Sequence, residues 1–156
     1  MWSGRVLRLH NRPRLLEGAY RRSRRILRPF RRWMVPGSKV EIVFVAVERM
    51  LKGFIFDCRM CGQCVLHSAG MTCPMNCPKE MRNGPCGGVG ADGSCEIVPD
   101  MECEWLRAWE RSREMRFYGD EILHAQAPLN HRLQGSSAWI NDFVGVAGKT
   151  PDGWGE

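Results

Sequence analysis

Cysteine is the residue type in this chain whose spacing points most directly to chemistry. All eight cysteines lie between positions 58 and 103, and the first three are separated by two residues each. A C-x2-C-x2-C run brings three thiolates to one corner of a polynuclear iron cluster, with a fourth arriving from elsewhere in the chain. The predicted metal ligands are Cys58, Cys61, Cys64, Cys73, Cys77, Cys86, Cys95 and Cys103.

The identity of the metal follows less directly from the spacing. Eight ligands suffice for two 4Fe-4S clusters, or for one cluster and one tetrahedral metal ion. Zinc also binds four cysteines, usually from two C-x2-C pairs separated by a longer spacer. Here one pair is extended to a third cysteine and no second pair follows. We therefore predict one or two 4Fe-4S clusters with zinc as the alternative, and His67 is a further candidate ligand.

Disulfides are the third interpretation of the cysteines. The amino terminus is rich in arginine and lacks the apolar core and cleavage site of a secretory signal. We expect a cytoplasmic protein, in which thiols stay reduced. The longest apolar stretch, residues 40–56, is interrupted by charged residues and is too short for a bilayer, so no transmembrane segment is predicted.

The sequence divides into three predicted parts, and charge marks the first of them. Residues 1–40 hold twelve basic side chains and one acidic side chain, Glu17, although the net charge of the whole chain is only +6. Residues 1–38 are therefore predicted to be a separable arginine-rich arm that carries a basic helix over about 14–33. Its candidate contacts are an acidic face of a partner protein, an anionic membrane surface or RNA, and the alternative is a solvated, partly disordered tail. A domain over 39–143 and a flexible tail over 144–156 follow.

The elements that position the cysteines are predicted to be helices. The cysteine segment has too few aliphatic residues to fold without metal. The expected fold is small, irregular and mostly α, with a metal-stabilised module between one helix over about 39–52 and another from an Asp100 cap to Tyr118. The β-branched residues between Ile42 and Val47 leave a strand as the alternative for the first of these helices. An extended arm is expected over 125–139.

Glycines and aromatic residues have predicted supporting roles. The glycine-rich turn at 84–88 is expected to aim backbone N–H groups at a cluster sulfur and so tune its potential. Trp105, Trp109 and Trp139 are expected to anchor packing or docking, and Phe54 to Phe56 to bury against a partner. The sequence carries no nucleotide-binding or hydrolase motif, and no catalytic residue is predicted.

Five motifs resemble the C-terminal domain family of methylenetetrahydrofolate reductases. They are CRMCGQC at 58–64, MTCPMNCP at 71–78, RNGPCGG at 82–88, AWERS at 108–112 and HRLQGSSAW at 131–139. In acetogens this family occurs as a small subunit bound to a flavoprotein with a TIM barrel. The resemblance implies cysteine-bound metal, usually iron-sulfur and sometimes zinc, that passes electrons to the flavin of the partner.

The predicted function is therefore that of an electron-transfer or accessory subunit. Its partner would be the flavin-containing catalytic subunit of a methylenetetrahydrofolate reductase in one-carbon folate metabolism. The chain is expected not to be catalytic alone, because the resemblance does not include the barrel with its flavin and folate sites. The alternative is a structural zinc subunit that stabilises the reductase or a related methyl-transfer partner. Nucleic-acid binding is disfavoured, because the cysteine segment lacks interleaved basic and aromatic residues.

Overall fold

The fold is small, irregular and mostly α, as the sequence predicts. A computed structural model of the chain describes residues 11–154. Within these residues no β-strand forms, and one isolated bridge pairs Ser94 with Glu102. The α-helices are α1 (Pro13–Leu27), α2 (Lys39–Phe56), α3 (Glu104–Ser112) and α4 (Ala138–Phe143), and short 3-10 helices span Arg28–Trp33, Leu66–Ser68, Pro74–Asn76, Gly119–Leu123 and His131–Leu133.

Helix α1 is the basic helix that the sequence predicts. It begins at Pro13, where a missing backbone N–H costs nothing. The α-helix ends at Leu27, and the chain continues as the 3-10 helix Arg28–Trp33, which contains Pro29. Proline lacks an N–H donor and clashes with the preceding turn, so Pro29 ends the α-helix before the predicted end near residue 33.

Helix α1 packs against the cysteine module, in contrast to the expected separable arm. Leu16 belongs to the same buried cluster as Met71, Cys73, Met75 and Met115. Glu17 is 1% exposed and lies among the same elements. Its carboxylate oxygens accept the backbone N–H groups of residues 116, 117 and 118 at 2.9, 2.7 and 2.8 Å. The single acid of the arginine-rich segment therefore anchors α1 to the chain that follows α3.

Helix α2 begins at the predicted position and runs longer than predicted. The Ser38 side chain accepts the N–H of Glu41 at 3.4 Å, which caps the first turn. The helix ends at Phe56 rather than at about Lys52, because Asp57 takes a left-handed conformation with φ 52°. Glu48 and Lys52, which are four residues apart on α2, form an ion pair at 2.8 Å. No helix within residues 11–154 combines the length and apolarity needed to cross a membrane.

Helix α3 is shorter than predicted at both ends. It begins after Cys103 and not at Asp100, because the N–H of Cys103 donates to the Gly93 carbonyl at 2.9 Å and holds this segment in a turn. It ends at Ser112 and not near Tyr118, because the N–H groups of residues 116–118 donate to Glu17 instead of continuing the helix. Competing tertiary hydrogen bonds therefore set both ends.

Residues 125–139 are only partly extended, in contrast to the extended arm that the sequence predicts. The 3-10 helix His131–Leu133 interrupts them, and α4 begins at Ala138. Glu48 of α2 caps α4 from a distance, since its carboxylate accepts the Ser137 hydroxyl at 2.6 Å and the Trp139 N–H at 3.0 Å. The acceptor that favours helix here lies far away in the sequence, so local composition did not indicate it.

The predicted aromatic anchors divide between core and surface. Trp105 is buried beside Cys103 and Ala108, and its indole N–H donates to the Met81 carbonyl at 2.8 Å. Trp109 is exposed. Trp139 is half-buried and stacks on Tyr20 with 5.4 Å between ring centroids.

Candidate metal centre

Four of the eight cysteines line one small cavity. They are Cys58, Cys61, Cys64 and Cys73, so the C-x2-C-x2-C run meets the first of the two Cys-Pro pairs. The cavity measures about 20 Å³, and its other walls include Met60, Gln63, Met75, Arg82 and Ser136. The sequence predicted the run and a fourth thiol from elsewhere, but it did not indicate which of five cysteines provides that thiol.

Left-handed backbone and close contacts shape the cysteine run. Met60 and Gly62 have φ values of 53° and 74°, which turn the chain sharply between successive cysteines. A Cβ at Gly62 would clash with the Leu133 carbonyl oxygen. The Met60 carbonyl accepts the N–H of Gly135 at 2.8 Å. The segment just before α4 thus holds the run from one side.

Hydrogen bonding between thiols changes the acidity of Cys58 and Cys73. The Cys73 side chain is the main cause that lowers the pKa of Cys58 to about 6, and the Met60 N–H supports the thiolate at 3.4 Å. The same contact with Cys58, together with burial, raises the pKa of Cys73 far above its ordinary value. The contact between the two sulfurs therefore favours the thiolate on Cys58 and the protonated thiol on Cys73.

Burial dominates at the other two thiols of the cavity. It raises the pKa of Cys61 and of Cys64 above the ordinary range, while the positive charges of Arg82 and Lys52 act in the opposite direction on Cys61 and Cys64 respectively. A metal binds the thiolate form, so loading this cavity would release protons.

Arg82 is a buried residue of the site that sequence reasoning missed. Its Nε donates to the Ala127 carbonyl at 2.7 Å, and both Nη atoms donate to the Gln63 carbonyl at 3.2 Å. Arg82 is the one arginine between Cys61 and Cys103, a signal that the sequence contained. It places a positive charge beside the thiols and ties the cysteine run to residues 123–127.

Gln63 is a second missed residue, and its whole side chain is used in hydrogen bonds. Its amide nitrogen donates to the Ala147 carbonyl at 2.9 Å, and its amide oxygen accepts the Asn130 N–H at 2.6 Å. Residue 63 lies between two cavity cysteines, so these bonds fix the run to the carboxyl-terminal part of the chain.

The four cavity thiols are not arranged around the position of a single ion. Among residues 11–154, no group of three or more histidine, cysteine, aspartate or glutamate side chains is arranged to hold a single metal ion. All eight cysteines are free thiols. Glu48 also lines the cavity, but its oxygens are bonded to Lys52, Ser137 and the start of α4.

The other four predicted ligands lie outside this cavity. Cys77 follows the 3-10 helix Pro74–Asn76. Cys86 has its sulfur 3.9 Å from a Glu96 carboxylate oxygen, and Cys95 bonds through its backbone to Met101. Cys103 is buried at the start of α3. No contact described for residues 11–154 gathers these four into a second centre.

Two supporting predictions are not met at the cavity. Within the described chain, the glycine turn at 84–88 does not line it, and a Cβ at Gly88 would clash with the Glu96 side chain. His67 does not line it either. Its ring stacks on Tyr20 with 5.2 Å between centroids, and its Nε2 lies 3.3 Å from a Glu121 oxygen. Cys73, and not His67, lines the cavity together with the three cysteines of the run.

Comparison with known proteins gives one match. A family model described as "Methylene-tetrahydrofolate reductase C terminal" matches residues 38–132. The matched range begins at the Ser38 cap of α2 and includes all eight cysteines. A search of curated proteins and a search of solved structures each found no match.

Proposed function

The chain belongs to the methylenetetrahydrofolate reductase C-terminal family, and we propose that it is the iron-sulfur subunit of such a reductase. In this role it passes electrons to the flavin of a separate catalytic subunit in one-carbon folate metabolism. The observation that carries the proposal is the convergence of Cys58, Cys61, Cys64 and Cys73 on one cavity.

The residues at the cavity fit a four-iron cluster in their chemistry. Four thiols provide the usual ligand set, and the C-x2-C-x2-C spacing is typical of cubane clusters. The Met60 N–H points at the Cys58 sulfur, the kind of hydrogen bond that tunes a cluster. Arg82 and Lys52 supply positive charge near the thiolates. A bound cluster would accept and donate single electrons.

The protein itself would hold the cysteine ligands in place and shield them from water. Cys73 and Met75 belong to the core cluster that packs beneath α1, so apolar side chains exclude water on that side. The hydrogen bonds of Gln63 and Arg82 hold the run in place. We propose one cluster at this cavity, and ligation by the other four cysteines stays a prediction. The proposed compartment is the cytoplasm, where thiols stay reduced.

Zinc is the alternative, because four thiols can also bind one tetrahedral ion. Such a subunit would only stabilise the reductase. We favour the cluster because the C-x2-C-x2-C spacing of Cys58, Cys61 and Cys64 is typical of cubane clusters, whereas four-cysteine zinc sites usually combine two separate C-x2-C pairs.

Anaerobic electron transfer tests the proposal. The dithionite-reduced, desalted protein is mixed with a flavin-containing methylenetetrahydrofolate reductase, and flavin absorbance is followed by stopped flow. We expect bleaching of the flavin with wild-type protein and with Ser136→Ala, which changes a cavity residue that is not a ligand. Cys73→Ser should lose the reaction. Equal rates for Cys73→Ser and wild type would contradict the proposal.

A further inference from the structure

An apolar groove separates α1 from α2. It encloses about 470 Å³, and its walls include Leu27 of α1 and Val43, Val47 and Leu51 of α2. Trp139 of α4 lies in it as well. Protein interiors are normally packed to the density of organic crystals, so an open apolar groove between two helices is unusual unless another molecule fills it.

The groove continues onto an exposed apolar stripe of α2. Val43, Val47 and Leu51 recur at helical spacing together with Val40 and Phe54, and all five are classed as exposed large hydrophobic residues. Glu48 and Lys52 lie beside this stripe, on the side of α2 that faces the module. A continuous exposed apolar face of this kind marks an interaction site.

The helix on the other side of the groove is strongly basic. Arg21, Arg24 and Arg25 of α1, with Arg28 just beyond its end, line a neighbouring hollow of about 560 Å³. Asp142 is the one carboxylate lining that hollow, and it pairs with Arg24 at 3.1 Å. The nearby acids Glu17 and Glu48 are buried in bonds to the backbone, so they leave the surface charge of α1 largely uncompensated.

We propose that this groove binds an amphipathic α-helix of another polypeptide, with an apolar stripe and flanking carboxylates. A slot with one helix on each side suits a third helix, whose side chains at i, i+3, i+4 and i+7 would fill it. The arginines of α1 favour an acidic flank on the incoming helix. This inference goes beyond the proposed function, because it names a surface and a partner chemistry that hold with or without metal.

The groove lies directly beside the candidate metal centre. Glu48, Cys64 and Leu66 line both the groove and the four-cysteine cavity. A helix bound in the groove would therefore cover the Cys64 side of the candidate metal centre and bring its own chain next to it. Docking and access to the cavity are coupled by these shared walls.

Two synthetic helical peptides test the proposal. They share one leucine stripe and differ only in carrying glutamates or lysines beside it, and binding to the full chain is measured by fluorescence anisotropy. We expect the acidic peptide to bind at least about tenfold more tightly than the basic one, with the difference shrinking at high salt. This comparison needs no variant of the protein.

Two matched variants of α2 then locate the site. Val47→Glu changes a groove residue that is 44% exposed, and Ile42→Glu changes a residue of the same helix that is 70% exposed and does not line the groove. We expect Val47→Glu to weaken the acidic peptide about tenfold or more, and Ile42→Glu to leave its affinity within about twofold. Circular dichroism confirms that both variants are folded.

Several outcomes would overturn the proposal. Equal affinity for the two peptides, or equal effects of the two variants, would show that the groove does not select an acidic helix. Sedimentation velocity tests a second copy as the occupant, and co-sedimentation with phosphatidylglycerol vesicles tests a membrane. Self-association or vesicle binding that is lost in Val47→Glu, without binding of the acidic peptide, would assign the groove to that occupant instead.

Discussion

Glu17→Gln tests whether α1 is part of the folded module. The Glu17 carboxylate is 1% exposed and accepts three backbone N–H groups, one on Oε2 and two on Oε1. Glutamine keeps the volume and one acceptor oxygen. Its amide nitrogen, however, would face a backbone donor, and the negative charge is lost.

The expected loss of stability follows from these bonds. A hydrogen bond to a charged group contributes about 1.5–3 kcal/mol, and a buried donor left unpaired costs about 1–3 kcal/mol. Since glutamine removes the charge from all three bonds and opposes one donor, we expect a loss of about 2–4 kcal/mol in the free energy of unfolding. Glu110→Gln, on the exposed face of α3, should change stability by less than about 0.5 kcal/mol.

Urea unfolding followed by tryptophan fluorescence measures the difference, with both variants at the same metal loading. Limited trypsin digestion gives a second readout, because α1 is rich in arginine. We expect faster cleavage within residues 13–27 in Glu17→Gln than in Glu110→Gln. Equal midpoints and equal cleavage rates would refute the anchoring of α1 and would support a separable arm.

Three further predictions concern the cysteine run and its surroundings. Gly62→Ala should destabilise the protein by about 3 kcal/mol or more in urea unfolding, because residue 62 has a positive φ and a Cβ there would clash with the backbone of Leu133. In the control Gly87→Ala the new Cβ lies in open space, so stability should change by less than about 1 kcal/mol. Arg82→Lys should cost about 2–4 kcal/mol in the same assay, because an ammonium group cannot replace a guanidinium that bonds two loop carbonyls at once. Burial lowers the pKa of His67, so the folded state binds fewer protons than the unfolded state, and stability should fall as pH drops from about 7.5 to about 5.5. In urea unfolding at several pH values, His67→Phe should reduce the change of stability with pH. The exposed residue His131 provides the control variant His131→Phe. A pH dependence of stability that is unchanged in His67→Phe would contradict the role given to His67.

The sequence predicted the elements whose causes are local. The predicted start of α2 at residue 39 was right, and a basic helix forms close to the predicted range as α1. The two-residue gaps of the first three cysteines indicated a shared site, and the structure places those thiols around one cavity. The family resemblance was confirmed over residues 38–132.

What the sequence did not predict depends on contacts between distant residues. Glu17 looked like an isolated acid in a basic segment, yet its partners lie about a hundred residues away. Glu48 likewise caps α4 from α2. Five cysteines were equal candidates for the fourth position, and only the three-dimensional path of the chain selects Cys73. The ends of α3 differ from the predicted ends for the same reason, because acceptors from distant parts of the chain compete with the helix for backbone N–H groups.

Metal analysis of the anaerobically purified protein tests the central claim most directly. Cys73→Ser and Cys77→Ser form a matched pair, since each cysteine precedes a proline and only Cys73 lines the cavity. We expect about four iron atoms with equal acid-labile sulfide per chain in wild type and in Cys77→Ser, and loss of both in Cys73→Ser. A wild-type protein that holds zinc without iron, or equal iron loss in the two variants, would contradict a four-iron centre at this cavity.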